Sequence, residues 1–86
     1  MTPDALIHSI DEAYCLDFLA RMVQHKSYSA TAEERRLAEY MAGQMSELGL
    51  HSELMPVPGE RLNAIGTLKG QGGGGHSLLF NGHLDT

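Results

Sequence analysis

His83 and Asp85 are the side chains whose types and spacing could do chemistry, and only Leu84 separates them. In a β-strand, alternate residues project from the same face, so these two would lie roughly 6 to 7 Å apart along the backbone. A carboxylate that accepts a hydrogen bond from one imidazole nitrogen fixes the tautomer and directs the other nitrogen at a metal or a proton. The spacing therefore indicates either a His–Asp dyad or one arm of a metal site.

The other potential ligands do not complete a metal site. A catalytic zinc ion needs at least three protein ligands drawn from His, Asp, Glu or Cys. None of the remaining histidines shares a ligand spacing with His83, and each is expected to be exposed to solvent: His8, His25, His51 and His76. Cys15 lies on an apolar helical stripe, which predicts a small core residue. The chain thus supplies about one metal ligand, His83, and its orienting carboxylate, Asp85.

Two helices are predicted before these residues. Ser9-Ile10-Asp11-Glu12 has capping-box spacing, and an apolar stripe follows it to about His25. Thr31-Ala32-Glu33-Glu34 repeats that spacing and predicts a second helix, which Gly49 ends. The polar residues 27–30 between the two helices are expected to form a loop.

Three strands are predicted after the helices. Residues 51–57 and 62–68 should pair through the Pro58-Gly59 turn, and the apolar residues 77–80 follow a glycine run that we interpret as a loop rather than a phosphate site. The predicted fold class is α/β, with two helices followed by three strands. The third strand should lie inside a sheet and carry the site at its carboxyl end, where open α/β sheets bind ligands. We expect residues 1–86 to be an incomplete part of one domain, because no element follows the third strand to cover its other edge.

Composition limits the partners. Six basic and eleven acidic residues give a net charge of −5, which argues against nucleic acid and anionic membranes as partners. The single cysteine favours a reducing compartment. Because no signal peptide or spanning segment is evident, a cytoplasmic location is predicted.

The last eight residues, Leu79-Phe80-Asn81-Gly82-His83-Leu84-Asp85-Thr86, resemble a known motif. It is the first metal-binding motif of the zinc-dependent family that includes acetylornithine deacetylase, succinyl-diaminopimelate desuccinylase, aminoacylase and carboxypeptidase G. Upstream segments resemble the same family in the same order: Phe18-Leu19-Ala20-Arg21-Met22-Val23, Leu48-Gly49-Leu50 and Asn63-Ala64-Ile65-Gly66. The resemblance covers nearly the whole chain.

This resemblance implies that residues 1–86 are the N-terminal part of a catalytic domain. It also implies a site with two zinc ions, for which cobalt could substitute, on a mixed α/β sheet. His83 would ligate one zinc, and Asp85 would be the catalytic carboxylate that orients it. The family's other ligands, its glutamate base and its dimerisation domain come later in the chain, so a homodimer is possible for the complete protein and the 86 residues alone should be inactive. The implied substrate is an N-acyl amino acid or a small peptide. The alternative from a different class is a non-catalytic module that adds a strand edge to a partner chain.

Overall fold

The computed structural model describes residues 2–86 and contains three helices followed by a hairpin of two strands. The helices are α1 (Pro3–His8), α2 (Glu12–Val23) and α3 (Ala32–Glu47), and the strands are β1 (His51–Val57) and β2 (Arg61–Thr67). The broad α/β prediction is confirmed. No helix within residues 2–86 combines the length and the apolar character needed to cross a membrane.

The first helical start lies earlier in the chain than predicted. Thr2 caps α1 by accepting a hydrogen bond from the Ala5 amide at 3.1 Å, and Pro3 takes the first helical position, where its missing N–H costs nothing. Ser9 is the C-cap of α1 rather than the N-cap of a longer helix, so the first predicted capping box is wrong. Asp11 caps α2 instead, accepting from the Tyr14 amide at 3.0 Å.

The apolar stripe of α2 is mostly exposed. No residue of α2 is buried, and Leu19 and Val23 are 53 % and 71 % exposed. Phe18 lies near Tyr40 of α3, with ring centroids 6.2 Å apart. Cys15 is exposed, so its prediction as a core residue is wrong. The periodicity identified the helix correctly, but within residues 2–86 no element covers most of its apolar face.

Helix α3 is the centre of the packed part of the chain. Its N-cap is Thr31, as predicted, and Gly49 follows its C-cap with a φ of +93°. The amides of Gly49 and Leu50 donate to the carbonyls of Ser46 and Met45, which is the Schellman arrangement that ends a helix. Within residues 2–86, the buried apolar residues all come from α3: Leu37, Ala38 and Ala42.

The hairpin packs against α3. Strands β1 and β2 are antiparallel, with His51 opposite Thr67 and Val57 opposite Arg61. The turn between them places Gly59 and Glu60 at positive φ, and glycine takes that conformation without strain. Both strands match the sequence prediction to within one residue.

The predicted third strand does not form. Residues 77–80 have no regular secondary structure, and Leu79 and Phe80 are 87 % and 85 % exposed. An apolar run indicates strand propensity, but a strand also needs a hydrogen-bonded neighbour, and within residues 2–86 this segment has none. The sheet therefore has two antiparallel strands rather than three, and the site does not lie at the end of a sheet strand.

Candidate functional site

The residues around His83 and Asp85 are held by the loop that joins α2 to α3. The hydroxyl of Ser27 donates to the carbonyl of Leu84 at 2.7 Å, and the amide of Thr86 donates to the carbonyl of Ser27 at 2.9 Å. Ser27 is only 2 % exposed and Leu84 is partly buried, so the hydroxyl contact is partly shielded from water. Side-chain and backbone contacts to one loop residue thus replace the strand pairing that the sequence predicted.

Asp85 is the point at which several segments meet. Its Oδ2 accepts from the Ser29 hydroxyl at 2.7 Å and from Arg61 Nη2 at 3.3 Å. Its Oδ1 lies 3.5 Å from His83 Nδ1. The carboxylate is therefore fixed through one oxygen and faces the imidazole with the other.

His83 differs from its partner in exposure. Its side chain is 94 % exposed, whereas that of Asp85 is 26 % exposed. The structure thus brings together the two residues predicted to form the site, with the carboxylate anchored and the imidazole presented to solvent. An imidazole oriented through Nδ1 leaves Nε2 for a metal or a proton.

Arg61 is itself gripped by a buried carboxylate. Its Nε and Nη2 donate to the two oxygens of Glu34 at 2.7 and 2.9 Å, which is the bidentate geometry that makes guanidinium–carboxylate pairs strong and directional. Glu34 is 5 % exposed and also accepts from the amide of Ala30 at 3.1 Å. Ala30 has a φ of +60°, so this contact supports a backbone conformation that alanine rarely adopts.

These contacts favour the ionised carboxylates. The hydrogen bond from Arg61 holds the pKa of Glu34 below its ordinary value, against the opposing effect of burial. The hydrogen bond from Ser29 lowers the pKa of Asp85, and the positive charge of Arg61 adds to that effect. Arg61 has its own pKa raised by Glu34, so the charged state of the whole group is self-consistent.

The surface beside the pair is a groove of about 390 Å³. The end of α2 and the loop after it form one side, and the segment that carries His83 and Asp85 forms the other. Leu19, Met22 and Val23 make part of its lining apolar. A small molecule with an apolar portion could therefore reach the imidazole from this side.

The donor set fits one arm of a metal site and no more. No group of three His, Cys, Asp or Glu side chains within residues 2–86 could hold a metal ion. His83 has the exposure and the carboxylate partner of a ligand, but the structure brings none of His8, His25, His51 or His76 into such a group with it. A catalytic zinc site would need further ligands from outside the described residues.

Sequence reasoning missed four residues of this cluster: Ser27, Ser29, Glu34 and Arg61. The two serines belong to the loop that was identified only as polar. Glu34 carried a signal, because the capping-box spacing predicts a carboxylate that reaches back, although it reaches the Ala30 amide rather than that of Thr31. Arg61 carried no signal, since its partners lie 27 and 24 residues away in the sequence.

Comparison with known proteins finds similarity to acetylornithine deacetylases. The relatives include the acetylornithine deacetylases of Salmonella newport, Salmonella heidelberg and Salmonella agona. Each is 36 % identical to this chain over 76 residues, a match that covers 83 % of this chain and 20 % of the relative. The chain therefore spans about a fifth of the length of these curated relatives and is a partial match to their family. No family model matches the sequence, and no solved structure matches the chain.

Proposed function

We propose that this chain is a segment of a zinc-dependent hydrolase that cleaves the amide bond of N-acyl amino acids or small peptides. The observation that carries the proposal is the anchored Asp85 facing an exposed His83 across 3.5 Å. The partial match to acetylornithine deacetylases supports the reaction class. In this proposal His83 is a metal ligand, and Asp85 holds its ring in one orientation.

The residues of this chain would position one metal ligand, but they would not supply every group that the reaction needs. When bound, zinc supplies a polarised amide carbonyl and a water of lowered pKa. Asp85 would accept the Nδ1 proton of His83 in a hydrogen bond, which increases the basicity of the ligating nitrogen. The groove beside the pair would exclude part of the water around the substrate, and its apolar wall would contact an acyl or side-chain carbon chain. The remaining ligands and the proton-transferring group would come from further sequence.

The proposal is tested in a chimaera. The segment of the Salmonella newport acetylornithine deacetylase that matches this chain is replaced by the chain, and hydrolysis of N-acetylornithine is measured with zinc or cobalt added. We expect His83→Ala to abolish turnover, while His76→Ala, a histidine in the exposed glycine-rich segment, leaves the rate unchanged. Equal rates for His83→Ala and the parent chimaera, with both proteins folded by circular dichroism, would reject the assignment.

Calorimetric titration of the 86-residue chain with zinc tests the ligand count. One imidazole without further ligands should bind zinc weakly, with the heat lost in His83→Ala. Tight stoichiometric binding by the chain alone would contradict the count and would indicate a complete site within these residues.

A second candidate is the non-catalytic module that pairs with a partner through a strand edge. It is favoured by one observation, the two-stranded sheet followed by an exposed apolar segment at residues 77–80. In this case Leu79→Asp should abolish binding of the partner chain and leave the hydrolysis rate of the chimaera unchanged. The hydrolase proposal predicts instead that His83→Ala lowers the hydrolysis rate more than Leu79→Asp does.

A further inference from the structure

We infer that Arg61, with Glu34 behind it, is a positioning residue that sets the orientation of the His83 ring through Asp85. This inference rests on the proposed function for its catalytic meaning, but its geometry stands on the contacts alone. The path runs through side chains from three segments: the first turn of α3, the start of β2 and the C-terminal segment.

The two oxygens of Asp85 have separate tasks. Oδ2 accepts from Ser29 and from Arg61, and these two donors fix the plane of the carboxylate. Oδ1 is left for His83 Nδ1. If the Arg61 contact is lost, the Ser29 hydroxyl alone remains on Oδ2, and a single donor permits rotation about the Cβ–Cγ bond.

Arg61 can perform this task because Glu34 removes its freedom. Its side chain is 37 % exposed, and an arginine at such a position would otherwise sample many rotamers. The bidentate contact to Glu34 fixes the plane of the guanidinium, and Glu34 is fixed by burial and by the Ala30 amide. Nη2 is consequently held where it can be shared between Glu34 and Asp85.

The other ion pairs within residues 2–86 lack these features. Arg21 pairs with Asp17 and Arg36 pairs with Glu33, each within one helix, and the arginine of each pair is at least 60 % exposed. Neither pair continues to a third ionisable side chain. Exposed pairs of this kind contribute little to structure, so Arg36 provides a matched control for Arg61.

The test is nuclear magnetic resonance of the ring nitrogens of His83 in the 86-residue chain, without metal and at alkaline pH. Long-range correlations between the carbon-bound ring protons and the ring nitrogens give the ratio of the Nδ1–H tautomer to the Nε2–H tautomer. We expect an excess of the Nδ1–H form, lost in Asp85→Ala. Arg61→Gln and Ser29→Ala should each reduce the ratio by about 2-fold to 13-fold, the range set by one net hydrogen bond.

Control variants separate orientation from charge and from folding. Arg36→Gln should leave the ratio unchanged. Arg61→Lys keeps the charge but not the planar fork, so its ratio should fall as in Arg61→Gln. Amide spectra of α3 must stay dispersed in every variant that is compared. A wild-type ratio in Arg61→Gln and Ser29→Ala, or in Arg61→Lys alone, would overturn the inference.

The positioning role of Arg61 and the proposed function can be refuted separately. If His83→Ala has no effect in the chimaera but Arg61→Gln changes the tautomer ratio, the hydrolase assignment is wrong and the positioning role stands. If His83→Ala abolishes turnover and the ratio does not respond to Arg61, the positioning role is wrong. In the chimaera, Arg61→Gln is expected to lower kcat more than it changes KM, because orientation of a ligand acts on the chemical step.

Discussion

Ser27→Ala should weaken the attachment of the segment that carries His83 and Asp85 while leaving the rest of the fold in place. The hydroxyl of Ser27 donates to the Leu84 carbonyl at 2.7 Å, and the substitution removes only that hydroxyl. The backbone contact from Thr86 to the Ser27 carbonyl remains available. The variant thus isolates one side-chain hydrogen bond between the loop and the C-terminal segment.

The magnitude follows from the burial of the two partners. Ser27 is 2 % exposed, but Leu84 is only partly buried, so water can reach its carbonyl once the donor is lost. The expected loss lies near the typical net value of a hydrogen bond, about 1 kcal/mol, rather than at the full penalty for an unsatisfied buried acceptor. A change of that size raises the population of the released segment by about fivefold.

Hydrogen exchange of the Thr86 amide measures this population. That amide is protected by the Ser27 carbonyl, so its exchange should be about fivefold faster in Ser27→Ala than in the wild type. Ser9→Ala is the matched control, because it also removes a hydroxyl-to-carbonyl hydrogen bond, here to Leu6 at the exposed end of α1. Equal Thr86 exchange in the wild type and Ser27→Ala, with α3 amides unaffected, would refute the assignment of Ser27 as the clamp.

Two further predictions concern stability. The lowered pKa of Glu34 means that the stabilising contribution of its ionised carboxylate is present above the ordinary value of 4.5 and is lost as the pH falls through the folded-state pKa. The urea midpoint should therefore fall on acidification below about pH 4.5, and it should fall less in Glu34→Gln. Parallel curves for the two proteins would show that this carboxylate is not the cause. Leu37→Ala, at a side chain 2 % exposed, should lower the free energy of unfolding by about 2 to 5 kcal/mol, which is enough to unfold a small chain. Leu48→Ala, at 62 % exposure, should have a melting temperature near that of the wild type. Similar thermal melts for the two variants would contradict the placement of the core.

Local signals in the sequence predicted local structure well. Thr31 and Gly49 predicted the two ends of α3 correctly, because capping groups lie within a few residues of the amides and carbonyls that they satisfy. The same rule misled at Ser9, because Thr2 and Pro3 start a separate short helix and Asp11 competes for the cap of the next. Ser9 and Asp11 are both residue types that commonly cap helices, and only the packing of the chain decides which of them caps α2.

Signals that depend on distant partners were weaker. The apolar residues 77–80 have the composition of a strand, but composition does not specify which edge would pair with them. The contact between Arg61 and Asp85 spans 24 residues, and no periodicity or capping pattern links the two positions. His83 and Asp85 themselves were identified because their chemistry is visible in three consecutive residues.

The way in which the pair is held changes what the site should be sensitive to. A strand would position His83 and Asp85 through backbone pairing, and the apolar side chains before them would then control the site. The structure holds Asp85 through Ser29 and Arg61 and leaves residues 77–80 exposed. Under the inferred positioning role, orientation of the imidazole depends on polar side chains of the loop and of β2, so substitutions at those positions should disturb the candidate site more than changes in the apolar segment.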